Sequence, residues 1–309
     1  MNKLLIILCL QLVGFSAFAQ LSPELLKSYT KTIVLEHEGH DREFIIFNPP
    51  AAIRKPKAPV VFMFHGTSGD GLKFYNISQW KEKALEEGFI AVFPSSLAYR
   101  ICEEGRAPRV TTKWVTPNIY DILCDPNDYL ADDQVFFQKM VSFLKENFPI
   151  DDRRIYASGF SNGSGFVQQL LIHNSHLLAA AAGNGGLRIT DTPEESIPFF
   201  STIGSKDTNI LENVGLEELP LNRSYFGIPE IQELVIMSLE NLGLKKEFTF
   251  TKKRRTFHAV FSTDIKDENK NTELNILVLD DLTHKYPNGK NYPLRMVDIL
   301  WPFFSRFSK

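Results

Sequence analysis

Residues 153–165 restrict the possible folds of this chain more than any other stretch. A short apolar run at 155–157 ends in Gly159-Phe160-Ser161-Asn162-Gly163, and Phe166, Val167, Leu170 and Leu171 then recur at helical spacing. A strand, a tight turn with serine at its apex and a helix in direct succession are what a nucleophile elbow requires. The glycines two before and two after Ser161 have a steric role. Without Cβ atoms there, strand and helix close in on a strained turn and the serine hydroxyl projects from the top of a sheet.

The surrounding sequence supplies such a sheet. Pro59-Val60-Val61-Phe62-Met63-Phe64 is a continuous apolar run, the pattern of a strand buried on both faces. It leads straight into His65-Gly66-Thr67-Ser68-Gly69-Asp70-Gly71, whose glycines demand a sharp turn with exposed backbone N–H groups. Further buried strands are expected at 89–93, 177–182, 198–203 and 276–279. A helix carrying Ile77, Trp80, Ala84 and Leu85 on one face should stop at Gly88. Asp132-Asp133 opens another, where capping and the helix dipole account for both aspartates. A third is expected over 229–242, and a closing helix from Leu294 is broken or restarted at Pro302.

The edges read differently. Residues 32–36 and 43–47 suggest an antiparallel hairpin around a polar turn that holds His37 and His40. Alternating strands at 248–251 and 257–261 flank Lys252-Lys253-Arg254-Arg255, a solvated hairpin end. Strands alternating with helices predict one α/β domain over residues 20–309, a doubly wound and mainly parallel sheet with helices on both faces.

Serine is a weak nucleophile until a base takes its proton, and an imidazole needs a carboxylate to fix its tautomer. Ser161, Asp207 and His284 supply the three groups in the order serine, acid, histidine, each just past an expected strand. Asp280 and Asp281 lie too near His284 along the chain to orient it. His258 falls inside an alternating strand segment, so His284 is the preferred base. The backbone N–H groups of Thr67 and Asn162 are the expected oxyanion donors.

Other chemistries find little support. The net charge of −3 comes without a basic stripe, which argues against nucleic acid. No cofactor or metal is expected: His173 and His176 lack a carboxylate at ligand spacing, and the acidic run at 125–133 lacks the glycine and glutamate of a calcium loop. Residues 95–130 lose periodicity and are expected to wall the substrate site as a lid. A Cys102–Cys124 disulfide would pin that lid. Trp114, Tyr99 and Tyr120 either stack on substrate there or pack beneath the loop. Residues 1–19 read as an export signal: Lys3, an apolar stretch, then Ala17-Phe18-Ala19 before Gln20. The expected mature chain is soluble and secreted or periplasmic.

Taken together, these residues resemble the polyhydroxybutyrate depolymerase-type secreted esterases, grouped with feruloyl and acetylxylan esterases. The resemblance rests on the strand into His65-Gly66, on Asp132-Asp133 and on Asp151-Asp152-Arg153-Arg154-Ile155-Tyr156 before the elbow. It continues through Ile203-Gly204-Ser205-Lys206-Asp207 and His284-Lys285-Tyr286-Pro287-Asn288-Gly289. It implies an α/β-hydrolase fold, a catalytic triad on Ser161, Asp207 and His284, and ester substrates. Ser205-Lys206, Lys285-Tyr286 and Asn162 depart from the family pattern on the substrate side. Hydroxyalkanoate, feruloyl and acetyl esters therefore all stay open. His65, Trp114 and Tyr286 are the expected substrate contacts. A serine peptidase, an acyltransferase or a non-catalytic binding protein on the same fold are the alternatives.

Overall fold

The apolar run after Ala58 divides its side chains between two cores. In the computed structural model, which describes residues 22–263 and 272–309, Val60, Phe62 and Phe64 enter one cluster while Val61 and Met63 enter another. Burying a side chain of this size contributes about 1.5–3 kcal/mol. The strand therefore holds two layers of helix at once. The expected export signal at 1–19 lies outside the described residues.

The strands are β1 (Thr30–His37), β2 (His40–Phe47), β3 (Ala58–Phe64), β4 (Ile90–Pro94), β5 (Ala98–Ile101) and β6 (Arg109–Thr112). Then come β7 (Ile150–Phe160), β8 (Ala180–Asn184), β9 (Phe199–Gly204), β10 (Phe248–Lys253), β11 (Thr256–Ser262) and β12 (Glu273–Leu279). Among the described residues, ten form one sheet in the order β1-β2-β4-β3-β7-β8-β9-β12-β11-β10, and β5 pairs with β6 apart from it. The six central strands from β4 to β12 are parallel, and antiparallel strands close both edges. Helices Asp133–Asn147, Asn162–His173 and Pro229–Leu242 pack on one face. Gly71–Ile77, Trp80–Glu87 and Val297–Phe304 cover the other. The doubly wound, mainly parallel sheet read from the sequence is the architecture found.

Three local readings are corrected. The strand expected at 177–182 is β8, Ala180–Asn184. Its polar end residue continues the ladder beside β7, where hydropathy alone would stop it. The closing helix starts at Val297 and runs through Pro302 to Phe304, because Leu300, Trp301, Phe303 and Phe304 bury themselves on the sheet. Residues 95–130 are not plain loop. They carry the β5–β6 hairpin and a small core of Tyr99, Ile101, Ile119 and Leu123. Each of those strands is four residues long, too short for a periodic signal.

A disulfide joins Cys102 to Cys124 across a separation of 22 residues and ties that segment to itself. Closing such a loop is expected to contribute about 3 kcal/mol. Urea unfolding with and without reductant measures it, and the intact mass should fall by two hydrogens on oxidation. Free thiols on both residues would refute the bridge.

Candidate active site

Ser161 sits between β7 and the helix Asn162–His173 with φ 54° and ψ −120°, a conformation L residues rarely adopt. The turn is this tight because its neighbours carry no Cβ. One built on Gly159 would lie 2.1 Å from the Gly163 carbonyl oxygen, and one on Gly163 would lie 2.4 Å from the His65 oxygen. The end of β8 braces the turn. Ser161 N–H donates to the Asn184 carbonyl at 2.8 Å, and Asn184 Nδ2 donates to the Gly159 carbonyl at 3.2 Å. Asn184 lies two residues past the strand end that hydropathy marks at 182, so nothing local in the sequence points to it.

The parallel strands deliver their carboxyl ends to one edge. There Ser161 Oγ lies 2.8 Å from His284 Nε2. His284 Nδ1 lies 2.8 Å and 3.0 Å from the two carboxylate oxygens of Asp207. With its Nδ1–H donated to Asp207, the imidazole keeps Nε2 as the acceptor of the serine proton. Asp207 is 2% exposed and also accepts from Asn209 N–H at 3.1 Å, so its carboxylate is held in place. His258 stays in β11 and bonds Asn275 instead. Asp281 is engaged by Lys206 and Arg255, and Asp280 by Arg255.

The loop after β3 runs beside the serine: a Cβ on Gly66 would lie 3.2 Å from Ser161 Cβ. Thr67 follows in the cleft wall. Asn162 is the first residue of its helix, so its N–H has no intrahelical acceptor. The cleft above has a volume of about 750 Å³. One side comes from the 103–121 region, where Glu103, Lys113 and Pro117 contribute. Gln168 and Arg188 belong to another side.

The three expected substrate contacts are corrected: His65, Trp114 and Tyr286 are buried and line no part of the cleft. His65 is wholly enclosed, bonding Gly66 O through Nδ1 and accepting from Ser96 N–H at Nε2. Trp114 donates to the His65 carbonyl and stacks on Phe166 at 5.0 Å. Tyr286 packs beneath Phe160 and Phe74. Of the two readings left open for the loop aromatics, Trp114 and Tyr99 follow the packing one. Tyr120 is exposed to solvent away from the cleft.

Burial pushes the His65 imidazole down to about 4. The unfolded chain takes this proton near pH 6.5 and the folded chain only near pH 4. Stability therefore falls as pH drops through that window, by about 3 kcal/mol once both states are protonated. Urea midpoints between pH 7 and pH 4 should decline more steeply in wild type than in His65→Gln. Parallel declines would rule the effect out.

Two further side-chain roles near the cleft are not legible in the sequence. Capping is the expectation for both aspartates, but that task falls to Asp132 alone, which accepts from Gln134 and Val135 N–H. Asp133 is buried instead against Arg42 Nη2 at 2.6 Å and accepts from Val115 N–H at 2.7 Å. Next to Val115, the Trp114 peptide is clasped by the Asn162 side chain. Trp114 N–H donates to Oδ1 at 2.7 Å and Asn162 Nδ2 donates to the Trp114 carbonyl at 3.1 Å. Nothing local in the sequence signals either contact. Among the described residues, Glu218, Asp280 and Asp281 are the metal-type side chains that converge, and Lys206 and Arg255 already meet their charge.

Six parallel strands, a strained serine after the third of them and a histidine–aspartate pair on the same sheet edge define an α/β-hydrolase. Within that superfamily the chain belongs to the dienelactone hydrolase family, whose model matches residues 45–219. It is 24% identical over 185 residues to feruloyl esterase B of Piromyces equi, covering 58% of this chain and 31% of that protein. It is 22% identical over 172 residues to the bifunctional acetylxylan esterase/xylanase of Neocallimastix patriciarum, covering 55% and 22% respectively. The chain thus matches less than a third of either relative's length. Among solved structures, an acetyl xylan esterase from Aspergillus awamori superposes with a TM-score of 0.55 at 15% identity, covering 89% of this chain and 99% of the other. An S-formylglutathione hydrolase from Agrobacterium tumefaciens gives 0.54 at 13% identity, covering 90% and 94%. At these identities the superpositions establish the fold.

Proposed function

We propose that this chain is a serine esterase that hydrolyses carboxylic esters through an acyl-enzyme on Ser161. The observation that carries the proposal is the relay of 2.8 Å contacts from Asp207 through His284 to Ser161 at the floor of the cleft. His284 takes the serine proton as Ser161 Oγ attacks the ester carbonyl, and Asp207 holds the imidazolium that forms. The N–H groups of Thr67 and Asn162 receive the developing oxyanion. His284 then protonates the leaving alcohol, and water, activated by the same imidazole, releases the acid and frees the serine. Feruloyl and acetyl esters of plant polysaccharide are the substrates the relatives' names point to, and hydroxyalkanoate oligomers are those of the sequence resemblance. We further propose export outside the cytoplasm. The residue pattern at 1–19 and the Cys102–Cys124 bridge support it, as does the lack, among the described residues, of a helix long and apolar enough to cross a membrane.

A substrate panel tests the reading: p-nitrophenyl acetate and butyrate, methyl ferulate, hydroxybutyrate oligomers and aminoacyl anilides. Turnover of esters that disappears in Ser161→Ala is expected. Turnover confined to the anilides would make the chain a peptidase. Sequencing the N-terminus of the exported protein should begin at Gln20.

A further inference from the structure

The two expected oxyanion donors belong to different elements, Thr67 to the turn after β3 and Asn162 to the start of a helix. They act together only if one N–H is fixed against the other, because a hydrogen bond weakens steeply with misalignment. On the turn, the Gly66 carbonyl and the Thr67 N–H are opposite ends of one planar peptide. That carbonyl accepts from Gly69 N–H at 3.0 Å and from His65 Nδ1 at 2.7 Å. Since His65 Nε2 accepts from Ser96 N–H, Nδ1 carries the proton. The peptide is held at its carbonyl end, and its N–H is turned the opposite way.

Four consecutive residues at and just beyond the end of β6 hold the turn itself. Thr111 Oγ1 bonds Ser68 Oγ at 2.7 Å, and the Thr112 carbonyl accepts from Ser68 N–H at 3.0 Å. Thr112 Oγ1 donates to the Gly69 carbonyl at 2.6 Å. Lys113 Nζ donates to Thr67 Oγ1 at 3.2 Å, and Trp114 Nε1 to the His65 carbonyl at 3.0 Å. The far end of this run meets the nucleophile's helix. The Asn162 amide answers both main-chain groups of Trp114, as a neighbouring strand would. The indole stacks on Phe166 of the same helix. One continuous segment, inside the loop closed by the Cys102–Cys124 bridge, thus runs from one donor to the other.

We infer that residues 111–114 are a splint for the oxyanion hole, and that the Asn162 side chain and Trp114 are its positioning residues. The inference rests on the ester reading above and gives this segment a role beyond walling the substrate. The neutral carbonyl of a bound ester gains little from aligned donors, whereas the tetrahedral oxyanion gains most. A loosened splint should therefore slow the chemical step and leave binding nearly as it was.

Two substitutions cut the splint at different points. Asn162→Ala removes the clasp on the Trp114 peptide, and Trp114→Phe removes the bond to the His65 carbonyl while keeping an aromatic ring. Trp114 is buried and lines no part of the cleft, so its change cannot act by touching substrate. On p-nitrophenyl acetate and butyrate each variant should lose about tenfold in kcat, with KM within about twofold of wild type. The carbonyl of 1,1,1-trifluoro-2-butanone becomes an oxyanion when a serine adds to it, so its inhibition should weaken in step with kcat. The double variant should lose little more than the larger single loss, because both changes cut one path. Rates are taken per folded molecule, from near-ultraviolet circular dichroism. If Asn162→Ala does not fold, Asn162→Ser and Trp114→Phe carry the same readings. An unchanged kcat, a loss confined to KM, an unchanged ketone affinity or losses that multiply in the double variant each overturn this inference alone. Absence of ester turnover in the wild type overturns the ester reading and this inference with it.

Discussion

Ser161→Ala is expected to lower kcat on every ester the wild type turns over by about ten thousand- to a million-fold. In the proposed mechanism the loss is this large because the Ser161 oxygen forms the covalent bond, and among the described residues it is the side-chain oxygen that meets His284 Nε2. Near-complete loss from a single atom should leave the fold untouched. Ser161 N–H bonds Asn184 O, and Gly165 N–H bonds Ser161 O, both through the backbone that alanine keeps. A companion variant separates chemistry from strain. Ser161→Gly removes the same hydroxyl but accepts φ 54° without steric cost, so it should unfold later than Ser161→Ala by about 1 kcal/mol. Initial rates and urea midpoints on the three proteins check both statements. Ester turnover that persists in Ser161→Ala would place the nucleophile elsewhere.

The second large effect belongs to a residue that never meets the cleft. Asp133→Ala is expected to cost about 3–5 kcal/mol, because it strands a buried guanidinium with no counter-charge. The Arg42 side chain is 0% exposed, and the carboxylate of Asp133 at 2.6 Å is its ion partner. Arg42 also lies 4.1 Å over the Phe136 ring, so it cannot swing out to water without uncovering that helix face. The same carboxylate holds Val115 N–H, next to the peptide that Asn162 clasps. Activity per folded molecule should therefore fall too, by about tenfold or more, as the cleft wall loosens. Replacing both partners, Arg42→Met with Asp133→Leu, should recover most of the stability, since the isolated charge is gone. It should recover less of the activity, since Val115 still lacks its acceptor. Urea unfolding of the wild type, Asp133→Ala and the double variant measures both effects. A loss below about 1 kcal/mol in Asp133→Ala would show that the pair carries little of the fold.

Much of the scaffold was legible because its signals are local. Continuous apolar runs such as 59–64 mark strands buried on both faces, and helical spacing after Ser161 marks the layer that covers them. The places where reading failed share a cause. His65, Trp114 and Tyr286 are residue types that serve a binding site and a core equally well. Only their neighbours, among them Ser96, Phe166 and Phe74, decide which. Asp132 and Asp133 are the same amino acid at adjacent positions. Yet helical geometry turns one toward the helix end and the other toward Arg42, 91 residues away. Lys113 sat in a stretch without periodicity, where nothing along the chain announces that it will lie against Thr67.

The sequence by itself determined the sheet-and-helix alternation, the strained turn at Ser161 and the order in which serine, acid and histidine emerge from strand ends. Those features follow from backbone sterics and hydrophobic period, which act over a few residues. The sequence named Asp207 and His284, but only the tertiary structure decided that they meet each other and Ser161 within hydrogen-bond distance. The contacts of Asp207 with His284 and of His284 with Ser161 span 77 and 123 residues. They exist because the strand order lays β7, β9 and β12 on one parallel edge, and sequence spacing carries no information about that order.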